Sequence, residues 1–367
     1  MARRFHLPGS VQELADWYMR YVSPLSLVAG FIADNLFLTK RVDLLLTNAL
    51  LGSYLIIAAL GIVVINLIQT GHLRHPFYQK IFPLLPVVAQ YAFGGLFSGY
   101  LSLYSRSAAI SLSWIFVVVL VALLLANERF AHFYARFSVQ VSIYFTALFS
   151  FLIFFLPLMF HRIGDWMFIA SGLTALGIIS LFLFMLFRLI PELRGREVRA
   201  ARSIAVIFVI FNILYFTNAI PPLPLALKDA GVYHSVTRQA DGTYDLFGES
   251  IPWFEGFLRY QPTYHTQPGE SAYVFTSIFA PSGLDVVVLH EWQQYNETTK
   301  QWVTTDTVAF PIHGGRDGGY RGYSVKSNIA AGQWRVNVIT QSGVMIGQVT
   351  FTVDQSGTSV PLQEFSK

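Results

Sequence analysis

The chain has 367 residues, of which 54% are hydrophobic, 16% aromatic and only 13% charged, whereas roughly a quarter of the residues in a soluble globular protein carry charge. Its charge is divided: Met1–Leu227 has 16 Lys and Arg against 8 Asp and Glu, and Lys228–Lys367 has 9 against 13, so a net +8 precedes a net −4. That split excludes one uniform domain, and the absence of cysteine excludes disulfides, thiolate catalysis and Cys-ligated zinc or iron–sulfur centres.

The first 20 residues are polar, with Arg3, Arg4, Glu13, Asp16 and Arg20, so they read as a cytoplasmic segment, either an amphipathic lead-in on the membrane surface or a disordered tail with a little helix, and not as a cleavable signal peptide. From residue 21 to 220 the intervals between charges are long enough to cross a bilayer, which takes about 20 mostly apolar residues. Seven spans are predicted: Tyr21–Leu38, Leu44–Thr70, Ile81–Tyr104, Ala108–Ala126, Ser138–Phe160, Trp166–Phe187 and Ser203–Ile220. With the N-terminus inside, twelve Lys and Arg fall in cytoplasmic segments (Arg3, Arg4, Arg20, Arg74, Lys80, Arg129, Arg136, Arg188, Arg194, Arg196, Arg199, Arg202) and four outside (Lys40, Arg41, Arg106, Arg162). Positive charge is retained on the cytoplasmic side, so an odd number of spans predicts an outer, periplasmic C-terminal domain.

No predicted span has an Asp, Glu, Lys, Arg or His near its centre, which argues against a proton-coupled pump. The polar groups gather instead at the outer rim: Arg41, Arg106 and Arg162 at three hairpin tips, with Asp34, Asp43, His161 and Asp165 beside them. Two readings stay open. Arg162 can pair with Asp165 and Arg41 can snorkel, as helix ends commonly do; or the arginines converge on the phosphate or carboxylate of an anionic lipid or lipid-linked substrate, which a guanidinium binds bidentately.

Residues 221–230 open with Pro221-Pro-Leu-Pro224 and read as a linker. Beyond it the hydrophobic period falls to two, over stretches starting at Gly231, Ser271, Leu284, Gln301, Arg321, Gln333 and Val344. Short strands between Gly, Pro, Asn and Ser turns predict an antiparallel, immunoglobulin-like β-sandwich over 231–367, with a closing hairpin turned at Gln341-Ser-Gly343. The segment His313-Gly-Gly-Arg-Asp-Gly-Gly-Tyr-Arg-Gly-Tyr323 has five glycines around Arg316, Asp317, Tyr320 and Arg321. It reads either as a hairpin loop with an internal Arg–Asp pair or as a recognition loop for a glycan or lipid headgroup. His234, His265, His290, Glu291 and His313 lack short ligand spacing on one strand face, so no metal is expected. Trp253, Trp292, Trp302 and Trp334 are predicted as core and not as a sugar platform.

Ser23-Pro-Leu-Ser-Leu-Val-Ala-Gly-Phe-Ile-Ala-Asp-Asn-Leu36, Phe275-Thr-Ser-Ile-Phe-Ala-Pro-Ser-Gly-Leu284, the glycine segment and Gly332-Gln-Trp-Arg-Val336 resemble uncharacterised bacterial multi-pass inner-membrane proteins that end in a periplasmic domain of unknown function. The resemblance implies an inner-membrane protein and assigns no catalytic residue. The expected activity is therefore binding, and possible transport or presentation, of an anionic lipid, lipid-linked glycan or envelope partner, with no cofactor and no nucleic acid. An enzyme acting on a lipid-linked substrate, with Asp34, His161 or Asp165 as acid or base, is the alternative.

Overall fold

The computed structural model describes residues 45–105, 118–122, 136–217, 219–220, 224–250, 262–315, 319–356 and 360–367, with Glu13 and Trp17. They fall into two compact units that divide between Ala219 and Ile220.

The first unit contains six α-helices among the described residues: α1 (Leu45–Gln69), α2 (Pro76–Ile81), α3 (Leu85–Ser105), α4 (Phe137–Phe160), α5 (Asp165–Leu189) and α6 (Glu197–Phe216). Short 3-10 turns, Phe82–Leu84 and Pro191–Arg196, join α2 to α3 and α5 to α6. Five helical stretches are long and apolar enough to cross a membrane: Leu45–Gln69, Pro76–Leu103, Phe137–Phe160, Asp165–Leu189 and Pro191–Phe216. They correspond to five of the seven predicted spans. The first span lies outside the described residues, and of the fourth only the helical residues 118–122 are described.

α4 is the central helix: sixteen of its 24 residues are buried, against four of 20 in α6. Glycines let the neighbours approach it and each other. A Cβ on Gly172 would stand 3.0 Å from Phe149 and 2.9 Å from Phe208, and one on Gly95 2.6 Å from Tyr54, the close approach that small residues permit between apolar helices. Phe149 of α4 stacks on Phe211 of α6 with centroids 4.7 Å apart. Buried amides tie the bundle further: Asn66 Nδ2 donates to Gln140 Oε1 at 2.6 Å, linking α1 to α4, and Tyr100 Oη donates to the Ala147 carbonyl at 2.8 Å, linking α3 to α4.

The second unit is β-rich. Strands β1 (Ala226–Tyr233), β5 (Ala272–Phe279) and β8 (Tyr320–Lys326) form one sheet in the order β1-β5-β8. A five-stranded sheet has the order β4-β10-β9-β6-β7, from β4 (Thr263–His265), β6 (Asp285–Asn296), β7 (Gln301–His313), β9 (Gly332–Thr340) and β10 (Met345–Asp354). A third sheet, β11-β3-β2, combines β2 (Ser235–Arg238), β3 (Tyr244–Glu249) and β11 (Leu362–Ser366). Val274 of β5, Trp292 of β6, Trp334 and Val336 of β9 and Phe351 of β10 share one buried cluster, so the first two sheets enclose a common core. Tyr233, Tyr244, Leu246 and Phe275 make a second core beneath the third sheet.

Three features depart from the predicted sandwich. β4 pairs with β10 in parallel, Thr263 against Thr352, so the unit is not wholly antiparallel. A third sheet is present that the sequence did not mark: β3 is six residues long, with apolar Phe247 on its exposed side and Gly248 on its buried side, and β11 is mostly exposed. β1 begins at Ala226, inside the stretch read as linker, because the prolines end at Pro224 and Ala226 is free to pair with Phe279. The hairpin turn at Gln341–Gly343 forms as expected, with Gly343 at φ +86° and its N–H bonded to the Thr340 carbonyl.

Candidate functional site

Of the predicted rim residues, Asp34, Arg41, Asp43 and Arg106 lie outside the described residues; His161, Arg162 and Asp165 form the turn between α4 and α5. His161 takes a left-handed conformation, φ 51°, as the C-cap of α4, and its N–H returns to the Pro157 carbonyl. Arg162 N–H donates to the same carbonyl at 3.2 Å, and its side chain is exposed. Asp165 opens α5, where a carboxylate offsets the positive end of the helix dipole. It accepts a hydrogen bond from Tyr215 Oη at 3.1 Å, and Tyr215 stacks on Phe168 with centroids 3.8 Å apart. Arg162 and Asp165 are thus both near one turn without forming an ion pair; Asp165 fastens α5 to α6 instead.

The opposite end of the bundle carries the cations. The α1 terminus meets the α5–α6 turn there, through His72 and Glu192 at 3.9 Å, and the same end holds Arg74, Lys80, Arg136, Arg188, Arg194, Arg196, Arg199 and Arg202. Among the described residues, eight Lys and Arg stand at this end and Arg162 at the other.

In the β unit, Arg316 and Asp317 lie outside the described residues, while Tyr320 and Arg321 begin β8, both partly exposed. The glycines around them are explained by packing. Gly314 N–H bonds to the Leu284 carbonyl at 3.0 Å and Gly315 N–H to Ala280 at 3.0 Å; a Cβ on Gly314 would sit 1.7 Å from the Pro281 carbonyl oxygen. Gly319, at φ +84°, would bring a Cβ to 2.6 Å from Ser277 Oγ. These glycines therefore admit the chain's own β5–β6 turn and β5 strand. Tyr320 lies edge-on to His313, centroids 6.5 Å apart, and Arg321 lends its carbonyl to Tyr244 Oη.

Two arrangements were not foreseen from the sequence. The first is a half-buried cluster where β3 meets β4. Glu249 Oε1 lies 3.2 Å from His234 Nε2 and accepts the His265 backbone N–H at 2.6 Å, and its Oε2 lies 2.8 Å from His265 Nδ1. Burial raises the Glu249 carboxyl, but the hydrogen bonds from His234 and His265 outweigh it and hold the group below its ordinary range. His234 stacks on Tyr264 at 4.5 Å. The cluster joins the third sheet to the five-stranded one. Among the described residues no three His, Asp or Glu side chains converge as a metal set.

The second is the outward face of the five-stranded sheet. Gln348 donates to Asn337 Oδ1 (2.7 Å), Asn337 to Glu291 Oε2 (2.9 Å) and Thr304 to Glu291 Oε1 (3.0 Å). Gln293 then bridges Thr304 (3.0 Å) and Arg335 Nε (2.6 Å). The row crosses four strands and ends where the Arg335 guanidinium lies 4.4 Å over the Trp302 ring, with Tyr295 5.2 Å beyond. Trp292 and Trp334 are core, as predicted, whereas Trp302 is only partly buried on this face; Trp253 lies outside the described residues. The signal was present as period two: Glu291 and Gln293 pair with Asn337 and Arg335 across the ladder, opposite in face to Trp292 and Trp334.

Residues 285–353 match a family described as a protein of unknown function (DUF2914), a segment that contains every residue of this polar row. No curated protein matches the chain. A solved structure, Pseudomonas fluorescens alkylpurine DNA glycosylase AlkC bound to DNA containing an abasic site analog, aligns over 82% of this chain and 97% of its own at 10% identity, with a TM-score of 0.20; a likeness at that level carries no argument about fold or function.

Proposed function

We propose that this is a multi-pass membrane protein that holds a β recognition module on the membrane face opposite its arginine-rich end. There the module binds an anionic lipid, a lipid-linked glycan or a partner protein. The observation that carries the reading is the segregation of charge along an apolar bundle: eight Lys and Arg at one end and Arg162 at the other among the described residues. Such a bias sets orientation, with the cations on the cytoplasmic side. α6 starts among the cations and ends at Phe216 beside Asp165, so the chain leaves the bundle from the cation-poor end, and in a bacterium that side is the periplasm.

Binding is favoured over catalysis by what the side chains do. Asp165, offered as an acid or base, is engaged by Tyr215 at a helix end, and His161 serves as a backbone cap. The polar row on the five-stranded sheet is pre-ordered by mutual hydrogen bonds, which suits recognition because little ordering entropy remains to be lost on binding. Alkaline phosphatase fused after Lys367 should be active and fused after Arg196 inactive; the reverse pair of activities would overturn the orientation.

A further inference from the structure

We propose that the outward face of the five-stranded sheet is a binding site for an acidic sugar, one carrying a carboxylate or phosphate, read by Arg335 beside Trp302 and Tyr295. This deepens the binding function proposed above by assigning it a site and a ligand class.

Arg335 is held in place before any ligand arrives. Its Nε donates to Gln293 Oε1 at 2.6 Å, and its guanidinium carbon lies 4.4 Å from the centre of the Trp302 ring. Both constraints leave the Nη pair, with four N–H donors, as the free end of the fork. Among the described residues no carboxylate comes within ion-pair distance of that fork. The Glu291 charge favours the guanidinium from a distance, while both Glu291 oxygens accept hydrogen bonds from Asn337 and Thr304. Burial works against the charged guanidinium, so a partly desolvated cation on an open sheet face lacks the planar anion that its geometry matches.

The surroundings select a sugar as the carrier of that anion. Trp302 and Tyr295 are cross-strand partners on the same face, rings tilted by 59°; with Arg335 over one side of Trp302, the Tyr295 ring is the apolar surface beside the guanidinium against which the C–H face of a pyranose can pack. Beyond the guanidinium runs the row of amides and hydroxyls of Gln293, Thr304 and Gln348, groups able to donate to and accept from ring hydroxyls. A face with one fixed cation, adjoining aromatic rings, neutral bifunctional groups and a Glu291 carboxylate already engaged by Asn337 and Thr304 complements a polyhydroxylated ring whose single acidic substituent meets Arg335. All of these residues lie within 285–353.

The test uses the full-length chain in detergent, titrated calorimetrically with oligogalacturonate as the carboxylate probe, mannose 6-phosphate as the phosphate probe and maltohexaose as the neutral one. At least one acidic probe should bind tenfold or more tightly than maltohexaose, and which one does so separates carboxylate from phosphate recognition. Arg335→Gln should weaken that binding by about tenfold or more, the scale of one lost charge-assisted contact. Arg335→Lys should recover little of it, because a point charge lacks the fork, and both variants should keep the wild-type melting transition. The proposal is overturned if neither acidic probe outbinds maltohexaose, if folded Arg335→Gln and Arg335→Lys retain full affinity, or if polyglutamate binds with the same dependence on Arg335 as the sugars, which would make the face a protein-docking surface. Loss of the sugar site would leave the membrane orientation untouched, since the phosphatase fusions test that separately.

Discussion

Among the described residues, 25 large hydrophobic side chains of the helical unit are exposed, from Leu45 to Phe216, against five in the β unit: Phe247, Val303, Tyr323, Val325 and Leu362. The polar side chains show the opposite habit. In the helices, Ser171, Thr174 and Asn212 bond back to the carbonyls of Met167, Ala170 and Phe208, four residues earlier; in the β unit, the partly exposed Gln348, Glu291 and Gln293 bond across strands, the first two through a buried Asn337. One unit hides its polar groups and displays apolar ones, and the other does the reverse. A helical surface of that kind is at home in hydrocarbon, where each backbone and side-chain polar group must find its partner internally.

The contrast predicts unequal responses to the same substitution. Trp292→Ala removes a fully buried ring at the centre of the β core and should cost about 3–5 kcal/mol in denaturant unfolding of the whole chain. Leu181→Ala, on a helix residue 54% exposed, should change stability in detergent by less than about 0.5 kcal/mol. A comparable loss at Leu181 would mean that protein, not lipid, covers that face.

Acid should separate the two units as well. His290 is fully buried, with Nε2 3.0 Å from Thr276 Oγ1 and Nδ1 2.8 Å from Ser324 Oγ, which also accepts the Trp292 Nε1–H. Burial pushes its pKa from 6.5 down to about 3. Between those values the unfolded chain binds a proton that the folded chain refuses, so stability rises with pH across the interval and is fully present above about 6.5. The contribution has an upper bound of about 4–5 kcal/mol. Urea unfolding between pH 4 and 7 should show the rise by tryptophan fluorescence, and His290→Gln should flatten it; a slope unchanged in that variant would move the cause to another group.

Smaller effects sharpen the account of the turns. Gly314→Ala should cost about 2–3 kcal/mol, because its Cβ meets the Pro281 backbone, which cannot swing aside as a side chain would. If the glycine served a ligand instead, the variant would melt like wild type. Tyr215→Phe should cost about 1 kcal/mol, the hydrogen bond to Asp165, while keeping the stack on Phe168.

How much was legible in the sequence follows the same divide. Apolar runs bounded by charges located the helices within a few residues, since length and hydropathy are local properties, and strict alternation located β5 through β10. Strands β3 and β11 escaped because Phe247 and Gly248 break the hydrophobic alternation of a six-residue β3 and β11 is mostly exposed; they exist by pairing, Glu249 with Leu362 through Asp245 with Ser366. The site residues were harder still. His234, Glu249 and His265 are separated by 15 and 16 positions and meet only through the third sheet. Arg335 and Trp302 lie on strands that do not pair with each other, brought together across β6. Conversely, Arg162 and Asp165 are three positions apart and pair in one of the two readings of the rim, but Tyr215, 50 residues away from Asp165, takes the carboxylate.

The central claim is that the arginine-rich end and the β unit face opposite sides of a membrane. The chain contains no cysteine, so single cysteines report position without background. Gly195→Cys lies in the cationic α5–α6 turn, where an added Cβ meets nothing within 4 Å, and Thr298→Cys in the turn between β6 and β7. In bacterial cells with a permeabilised outer membrane, a membrane-impermeant maleimide should label T298C directly and G195C only after the inner membrane is lysed. Labelling of G195C alone before lysis, equal labelling of both, or recovery of the protein in the soluble fraction would contradict the account.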